Sequence, residues 1–229
     1  MTSQLSNATQ QARRPSIALI SLDQAYASDF ENIYADLIIQ FAAQSTLQRC
    51  NDVNNMVDYL TNTTPSAIIF TDPGIATKPN ARATEKLKEY VSNGGTAIFA
   101  CTFSSFITPP QMSKFWSSNF YFPWQSGSYL RTEVRLNAHV APELDLSKCV
   151  AQYSTKALFL KNVNGSDALY SPPPGAVTES LILKGDPVDT SEAAVVWARF
   201  GNGRIGYIGD VNGEEGSEKV VLAMCGLQD

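Results

Sequence analysis

The chain is poor in the residues that hold metals and bind nucleic acids. Its 229 residues include four cysteines and a single histidine, His139, and it contains no Cys-x-x-Cys pair. A structural zinc site needs four such ligands at close spacing, so no metal is expected, and no cofactor is indicated. The 17 lysines and arginines face 22 acids and form no basic cluster. We therefore expect no nucleic-acid partner.

The chain also lacks long apolar segments. No run approaches the ~20 apolar residues that cross a bilayer, and the N-terminus has no apolar core of a secretion signal. We expect no membrane partner, a cytoplasmic location and reduced thiols. Residues 1–14 contain two arginines and no acid. That composition is typical of a disordered leader, or of a weak signal for targeting to an organelle.

The first half of the chain alternates short apolar runs with apolar residues at helical spacing. This alternation predicts an α/β protein with a mostly parallel central sheet, of the flavodoxin-like three-layer type. The predicted elements are a strand at 16–22, a helix at 26–44, a strand at 45–50, a helix at 51–62, a strand at 66–72, a helix at 80–95 and a strand at 96–101.

The second half is less regular until its end. Residues 105–180 are aromatic and interrupted by proline and glycine, and we interpret them as an irregular β-rich insertion in a single domain that spans 15–229. Strands are predicted there and just beyond at 129–140, 156–163 and 179–185. The last part reads as a hairpin over 192–210, turning at Gly201-Asn202-Gly203, followed by a closing helix at 214–227.

Reactive or charged side chains follow several of the predicted strands. Asp23, Asp72 and Cys101 come after three strands of the first half, and Asp210 ends the hairpin. Because ligand sites of open α/β sheets form beyond the carboxyl ends of the strands, these side chains are candidates for one site. Cys101 is then either a nucleophile on a sharp turn or a small buried hydrophobe, and local sequence leaves both open.

Two stretches resemble a known superfamily. "KLKEYVSNGGTAIFACTF" is similar to the segment that carries the nucleophile elbow of class I glutamine amidotransferase-like proteins, and "VVWARFGNGRIGYIGDVNGEEG" resembles their later hairpin. The resemblance is closest to the ThuA-like branch and covers roughly 15–105 and 190–226. It implies the flavodoxin-like fold and a site built around the cysteine.

The resemblance places Cys101 at the nucleophile position, with Asp210 and Glu214 as the remaining catalytic candidates. Where the superfamily presents a His-x-Glu pair, this chain reads Asp210-Val211-Asn212-Gly213-Glu214, so the Cys-His-Glu triad is incomplete. The oxyanion loop keeps only Gly74. A thiol that hydrolyses glutamine needs a base and an acid, so standard glutaminase activity is not expected. The candidate ligand-binding residues beside Cys101 are Asp23, Asp72, Gly74, Thr102, Ser104 and Asn212.

Three functions remain open at this point. The first is binding of an unidentified small molecule or partner at the Cys101 edge, with cysteine-dependent hydrolysis or group transfer as the surviving chemistry. The second is a redox or stress sensor in which Cys101 is oxidised beside a carboxylate. The third is a structural subunit, and the aromatic residues around Trp116 and Trp124 could form a contact in a homo-oligomer or the wall of a pocket.

Overall fold

The computed structural model describes residues 14–77, 81–179 and 185–227, which form a mixed α/β structure around a nine-stranded sheet. Most of the leader predicted for 1–14 and of the strand predicted for 179–185 lies outside the described residues. The elements are β1 (Ser16–Ile20), α1 (Ala27–Ile33), α2 (Ala35–Gln44), β2 (Thr46–Cys50), α3 (Val53–Asn62), β3 (Ala67–Phe70), α4 (Gly74–Thr77), α5 (Ala81–Ser92), β4 (Thr96–Phe99), α6 (Phe103–Phe106), α7 (Pro109–Phe120), β5 (Gln125–Leu136), β6 (Gln152–Lys161), β7 (Ala168–Ser171), β8 (Val195–Phe200), β9 (Gly203–Ile208) and α8 (Glu215–Met224).

The strands lie in the order β2-β1-β3-β4-β9-β8-β7-β5-β6. The four pairings that join β2, β1, β3, β4 and β9 are parallel. The four pairings that continue from β9 through β8, β7 and β5 to β6 are antiparallel. The α/β class is confirmed, but the sheet is parallel in one half only. The reason is local, because the Gly201 turn (φ +59°) reverses the chain directly between β8 and β9.

Helices cover both faces of the parallel half. In β1, β3 and β4 every second side chain faces one core and the alternate ones face the other, as in Ile68 and Phe70 against Ala67 and Ile69. One core contains side chains of α3, α5 and α7, and the other contains side chains of α1, α2 and α8. Strands buried on both faces read as continuous apolar runs, which is why the sequence pattern found them.

The middle of the chain extends this same sheet. Helix α7 and strands β5 to β7 all come from residues 109–171, and β5 pairs with both β6 and β7. Strand β6 then curls back towards the parallel half. It forms antiparallel bridges from Ala157 to Asp210 and from Leu160 to Ala193. We call this return of β6 to the residues flanking β8 and β9 the seam.

The helices have lengths typical of globular proteins. Among the described ranges, none combines the length and the hydropathy that a membrane span requires.

Candidate functional site

A sharp turn carries Cys101 from the end of β4 into helix α6. The backbone of Cys101 is left-handed, with φ +58°, which is uncommon for a residue other than glycine. The amide of Phe103 donates to the carbonyl of Ala100 across the turn at 3.1 Å. This strand-to-helix turn with a strained cysteine is the local geometry that an exposed nucleophile would need.

The hydroxyl groups beside the turn already have structural partners. The Thr102 hydroxyl donates to the carbonyl of Thr71 at 2.7 Å, and the Ser104 hydroxyl donates to the carbonyl of Ile208 at 2.7 Å. Both side chains are buried. They link β4 to its neighbours on either side of the sheet, so neither hydroxyl is directed at a ligand, although both were candidate ligand-binding groups.

Asp210 lies just beyond β9 and faces the Cys101 side chain across a small cavity. Its Oδ1 accepts from the amide of Asn212 at 2.8 Å, and its Oδ2 accepts from the amide of Glu214 at 2.8 Å. The carboxyl group is only 3% exposed. Burial, together with the neighbouring Glu214 carboxylate, raises the pKa of Asp210 to about 8. The raised pKa favours the neutral form of Asp210, which can donate to Glu214.

Glu214 is the charged member of this pair. Its Oε1 accepts from Arg131 Nη2 at 2.6 Å and its Oε2 from the Thr155 hydroxyl at 3.2 Å. Partial burial alone would raise the pKa of Glu214, but hydrogen bonds from Asp210 and Arg131 outweigh it and lower the pKa. Arg131 is thus the cation that pairs with this carboxylate.

The Cys101 thiol is enclosed rather than exposed. The cavity beside it is lined by Tyr34, Leu37, Ala100, Cys101, Ile208, Asp210, Ser217, Glu218 and Val221. About 10 Å³ is open to the centre of a water-sized sphere, which is room for roughly one water molecule. Burial, followed by the carboxyl groups of Asp210 and Glu218, raises the thiol's pKa well above its usual value.

The cavity has the wrong groups for activating a thiol. A nucleophilic cysteine needs a thiolate, which an adjacent imidazole or other cation stabilises. The chain's single histidine, His139, is exposed on the short helical turn Ala138–Val140 and does not line the cavity. The acids that line the cavity with the sulfur, Asp210 and Glu218, favour the neutral thiol.

The candidates Asp23, Asp72 and Gly74 form a separate cluster at the ends of β1 and β3. The amide of Gly74 donates to Asp72 Oδ1 at 2.7 Å, and a Cβ at Gly74 would lie 2.7 Å from that same oxygen. Burial raises the pKa of Asp72 to about 6, partly opposed by the backbone amides of Gly74 and Asp23. Asp23 caps the next turn by accepting from the amide of Ala25. This cluster joins two loops and does not line the Cys101 cavity.

Several residues of the cavity were not candidates from the sequence. Tyr34 sits between α1 and α2, and Glu218 follows Glu214 by one turn of α8. The spacing of Glu214 and Glu218 was a usable signal, because side chains four residues apart share one helix face. Within the described ranges, no three His, Cys, Asp or Glu side chains are grouped so that they could hold a metal ion.

The aromatic residues of the middle region mainly fill the core. Trp116 and Trp124 are buried, with their ring centroids 4.9 Å apart in an edge-to-face contact. Tyr121 and Tyr129 are exposed, and Phe122 stacks on Trp124 at 4.2 Å. The cluster packs α7 against the sheet.

Comparison with known proteins identifies the fold. No protein-family model and no curated protein matches the sequence. A ThuA-like protein from Bacteroides uniformis is similar in structure, with a TM-score of 0.61, 12% identity, and coverage of 97% of this chain and 93% of that one. A ThuA-like protein from Parabacteroides merdae gives a TM-score of 0.59 at 12% identity, covering 93% of this chain and 89% of its own.

The same architecture also occurs within a longer enzyme. A β-galactosidase from the haloarchaeon Halorubrum lacusprofundi matches with a TM-score of 0.52 at 15% identity, over 93% of this chain but only 30% of the enzyme. At these identities a structural match establishes the fold and no activity. The chain therefore has the fold that ThuA-like proteins share.

Proposed function

We propose that this chain is a ThuA-like member of the class I glutamine amidotransferase-like superfamily that does not hydrolyse glutamine and acts by binding. Its ligand is a polar small molecule or a partner group at the edge of the sheet beside Cys101. The strand order β2-β1-β3-β4-β9 supports the flavodoxin-like assignment, because it is the doubly wound order 2-1-3-4-5 with β9 in the fifth place. The strained turn at Cys101 supports the superfamily assignment.

The observation that carries the proposal is the identity of the group opposite the thiol. Asp210 occupies the place where the resemblance puts a base, and burial beside Glu214 raises the pKa of its carboxyl group, which favours the neutral form. A neutral acid cannot take the thiol's proton, and an ionised one would disfavour a thiolate beside it. The turn of a nucleophile is thus retained without the chemistry that would make it react.

The accessible polar groups lie next to the cavity rather than in it. Asn212 is exposed, and the Arg131–Glu214 pair is partly exposed. Together they present an amide, a guanidinium and a carboxylate to solvent within one hydrogen-bonded group. Such a mixture of donors and acceptors suits a ligand with hydroxyl, amide or carboxyl groups.

The glutaminase half of the proposal is tested by measuring glutamate release from glutamine. We expect no turnover above buffer for the wild-type chain, and the same result for Cys101→Ala. A competent glutamine amidotransferase assayed in parallel serves as the positive control. Glutamate release that disappears in Cys101→Ala would refute the proposal, because it would require a reactive thiolate.

The binding half is tested by a thermal-shift screen of polar small molecules. A ligand that binds only the folded state raises the melting temperature, and the shift grows with the logarithm of the ligand concentration above its Kd. We expect the shift from any ligand found to be lost in Asn212→Ala and in Arg131→Gln. Arg135→Gln is the matched control, because Arg135 is exposed on the same strand and donates to Gln152 instead. A shift that both Asn212→Ala and Arg131→Gln retain would contradict this site.

The sensor hypothesis gains no specific support from the geometry. Oxidation of cysteine by peroxide proceeds through the thiolate and requires access. Cys101 is 3% exposed and its pKa is raised. The same two properties that argue against a glutaminase therefore argue against a fast peroxide sensor.

A further inference from the structure

We propose that helix α1, with Tyr34 as the residue that ends it, is a hinged cover whose opening draws the Tyr34 ring out of the Cys101 cavity. The inference rests on the proposed function in taking the Cys101 edge as the ligand side of the molecule. It adds that the enclosed state is one of two states, and that a small polar molecule reaches the thiol only when α1 (Ala27–Ile33) has swung away.

Helix α1 is weakly attached to the body of the protein. Of its seven residues only Phe30 is buried, and Ile33 at its end is 43% exposed. Segments with few buried apolar side chains open at low free energy, well below that of global unfolding. By contrast α2, directly after it, buries both Leu37 and Phe41. The boundary between a loose and a firm helix falls at Tyr34.

Tyr34 has the backbone of a hinge. Its φ of −110° and ψ of 26° lie outside the helical region and separate α1 from α2. The loop after β9 packs against this point, because a Cβ at Gly213 (φ +71°) would lie 3.1 Å from the carbonyl of Ile33. A change in the backbone at Tyr34 would therefore alter the packing of the loop that holds Asp210 and Glu214.

Two contacts at the protein surface hold the cover closed. The rings of Tyr26, before α1, and Phe106, at the end of α6, stack with centroids 4.1 Å apart and planes 13° apart. Glu31 of α1 pairs with Arg49 of β2, and both side chains are more than 40% exposed. Contacts of this kind contribute little individually, so they suit a closure that must be reversible.

The surroundings of Tyr34 in the cavity also favour movement of its ring towards solvent. The Tyr34 hydroxyl is buried and has no hydrogen-bond partner among the described residues. A buried hydroxyl without a partner costs free energy that solvent would restore on opening. Its position beside Cys101 and Asp210 means that movement of this ring would uncover the sulfur and the Asp210 carboxyl group together.

Site-resolved thiol labelling tests the cover. The full-length native protein is treated with N-ethylmaleimide, and modification of each cysteine is followed over time by peptide mass spectrometry. Cys50, Cys101 and Cys225 are all buried and all have raised pKa values, so they are matched probes. We expect Cys101 to react at least about tenfold faster than the other two, since opening of α1 requires less free energy than global unfolding.

Removing either of the two surface contacts should raise the labelling rate of Cys101 and leave the rates of Cys50 and Cys225 unchanged. Phe106→Ala and Glu31→Gln should each speed Cys101 labelling, with Phe106→Ala giving about two- to tenfold, the population change expected on losing one exposed aromatic pair. Tyr121→Ala is the matched control, because it removes an aromatic ring that is 83% exposed at the end of α7. It should leave all three rates unchanged.

The results separate this inference from the proposed function. Equal labelling of Cys101, Cys50 and Cys225, or a uniform increase of all three rates in Phe106→Ala, would overturn the cover, because both indicate global unfolding. A ligand shift that depends on Asn212 would in that case still support the binding site. Selective labelling of Cys101 in a protein that turns over glutamine would support the cover and refute the proposed function.

Discussion

Cys101 holds a backbone conformation that its side chain makes unfavourable. A left-handed conformation costs an L-residue roughly 1–2 kcal/mol, a cost that glycine does not have. The φ of +58° at Cys101 is fixed from both sides, by β4 before the turn and by α6 after it. The strain is thus a property of the turn, and it persists whatever side chain occupies the position.

We expect Cys101→Gly to be more stable than Cys101→Ala by about 1 kcal/mol, because both lose the thiol and only alanine keeps the strain. Urea unfolding of the two variants measures the difference. The control is the same pair of substitutions at Cys225, which is equally buried but has φ −82°. There alanine should be the more stable by about 1 kcal/mol. If alanine is the more stable residue at both positions, the turn at Cys101 carries no strain.

Asp210 makes the stability of the protein depend on pH. The pKa of Asp210 rises from 3.8 in the unfolded chain to about 8 in the folded protein, so folding takes up a proton between these values. This contribution is fully present below about pH 4 and is lost as the pH rises through 8. Glu214 has the opposite sign: its lowered pKa stabilises the fold above its unfolded pKa and is lost in acid.

Asp210→Asn should remove the first of these effects. Between pH 5 and pH 8 we expect the free energy of unfolding of the wild type to fall relative to the variant by at most about 1.4 kcal/mol per pH unit. Urea titrations at each pH measure it, and the contribution of Asp72 cancels because both proteins share it. Parallel pH profiles for the two proteins would mean that Asp210 is ionised in the folded state.

At the scale of elements, the seam depends on a close approach between two backbones. The amide of Leu158 donates to the carbonyl of Gly209 at 2.9 Å, and the amide of Gly209 donates to the carbonyl of Ala194 at 2.8 Å. A Cβ at Gly209 would overlap the Leu158 carbonyl oxygen and lie 3.0 Å from that of Ala194. No side chain fits between these strands, so the residue before Asp210 must be glycine.

Gly209→Ala should therefore destabilise the protein by about 1–3 kcal/mol, the usual cost of forcing a methyl group into a packed region. Its urea midpoint should fall, and near-ultraviolet circular dichroism should report altered packing of the aromatic residues. Gly165→Ala is the control, since nothing lies within 4 Å of a Cβ there and its φ is not positive. Equal stability of the two variants would rule out the close approach.

Elements were predictable where local signals agree with the tertiary structure. Helix α7 was missed although its start carries a usable signal: Thr108 and Gln111 form a capping box around Pro109, the first helical residue. The division of the predicted helix 26–44 at Tyr34 carries no such signal. Its apolar spacing continues through the break, and the contact at this point comes from Gly213, far along the chain.

At the scale of the whole molecule, the sequence predicted which candidate residues lie close together better than it predicted what surrounds them. Cys101, Asp210 and Glu214 were predicted at one edge, and the fold does bring Asp210 beside both of the others. Asp23 and Asp72 lie at the same edge, but their carboxyl groups accept from backbone amides of their own loops and do not line the Cys101 cavity. The position of Tyr34 beside the Cys101 sulfur was not predictable, because no local sequence pattern indicates which helix packs against the end of which strand.

The strand order of the sheet likewise could not be predicted from any single segment of the sequence. An alternating run such as β5 identifies a strand that is exposed on one face, but its partners β6 and β7 follow after long connections. Nothing local distinguishes a separate β layer from three more strands of the same sheet. The hairpin β8–β9 was predictable because its Gly201-Asn202-Gly203 turn fixes the pairing directly.

The return of β6 to the flanks of β8 and β9 also makes the two margins of the sheet unlike. It occupies main-chain groups at one margin of the sheet, whereas β2 (Thr46–Cys50) at the opposite margin pairs only with β1 among the described residues. An unpaired strand at the margin of a sheet is the usual point for the addition of a further strand, and in this fold β2, rather than β6, has that position among the described residues.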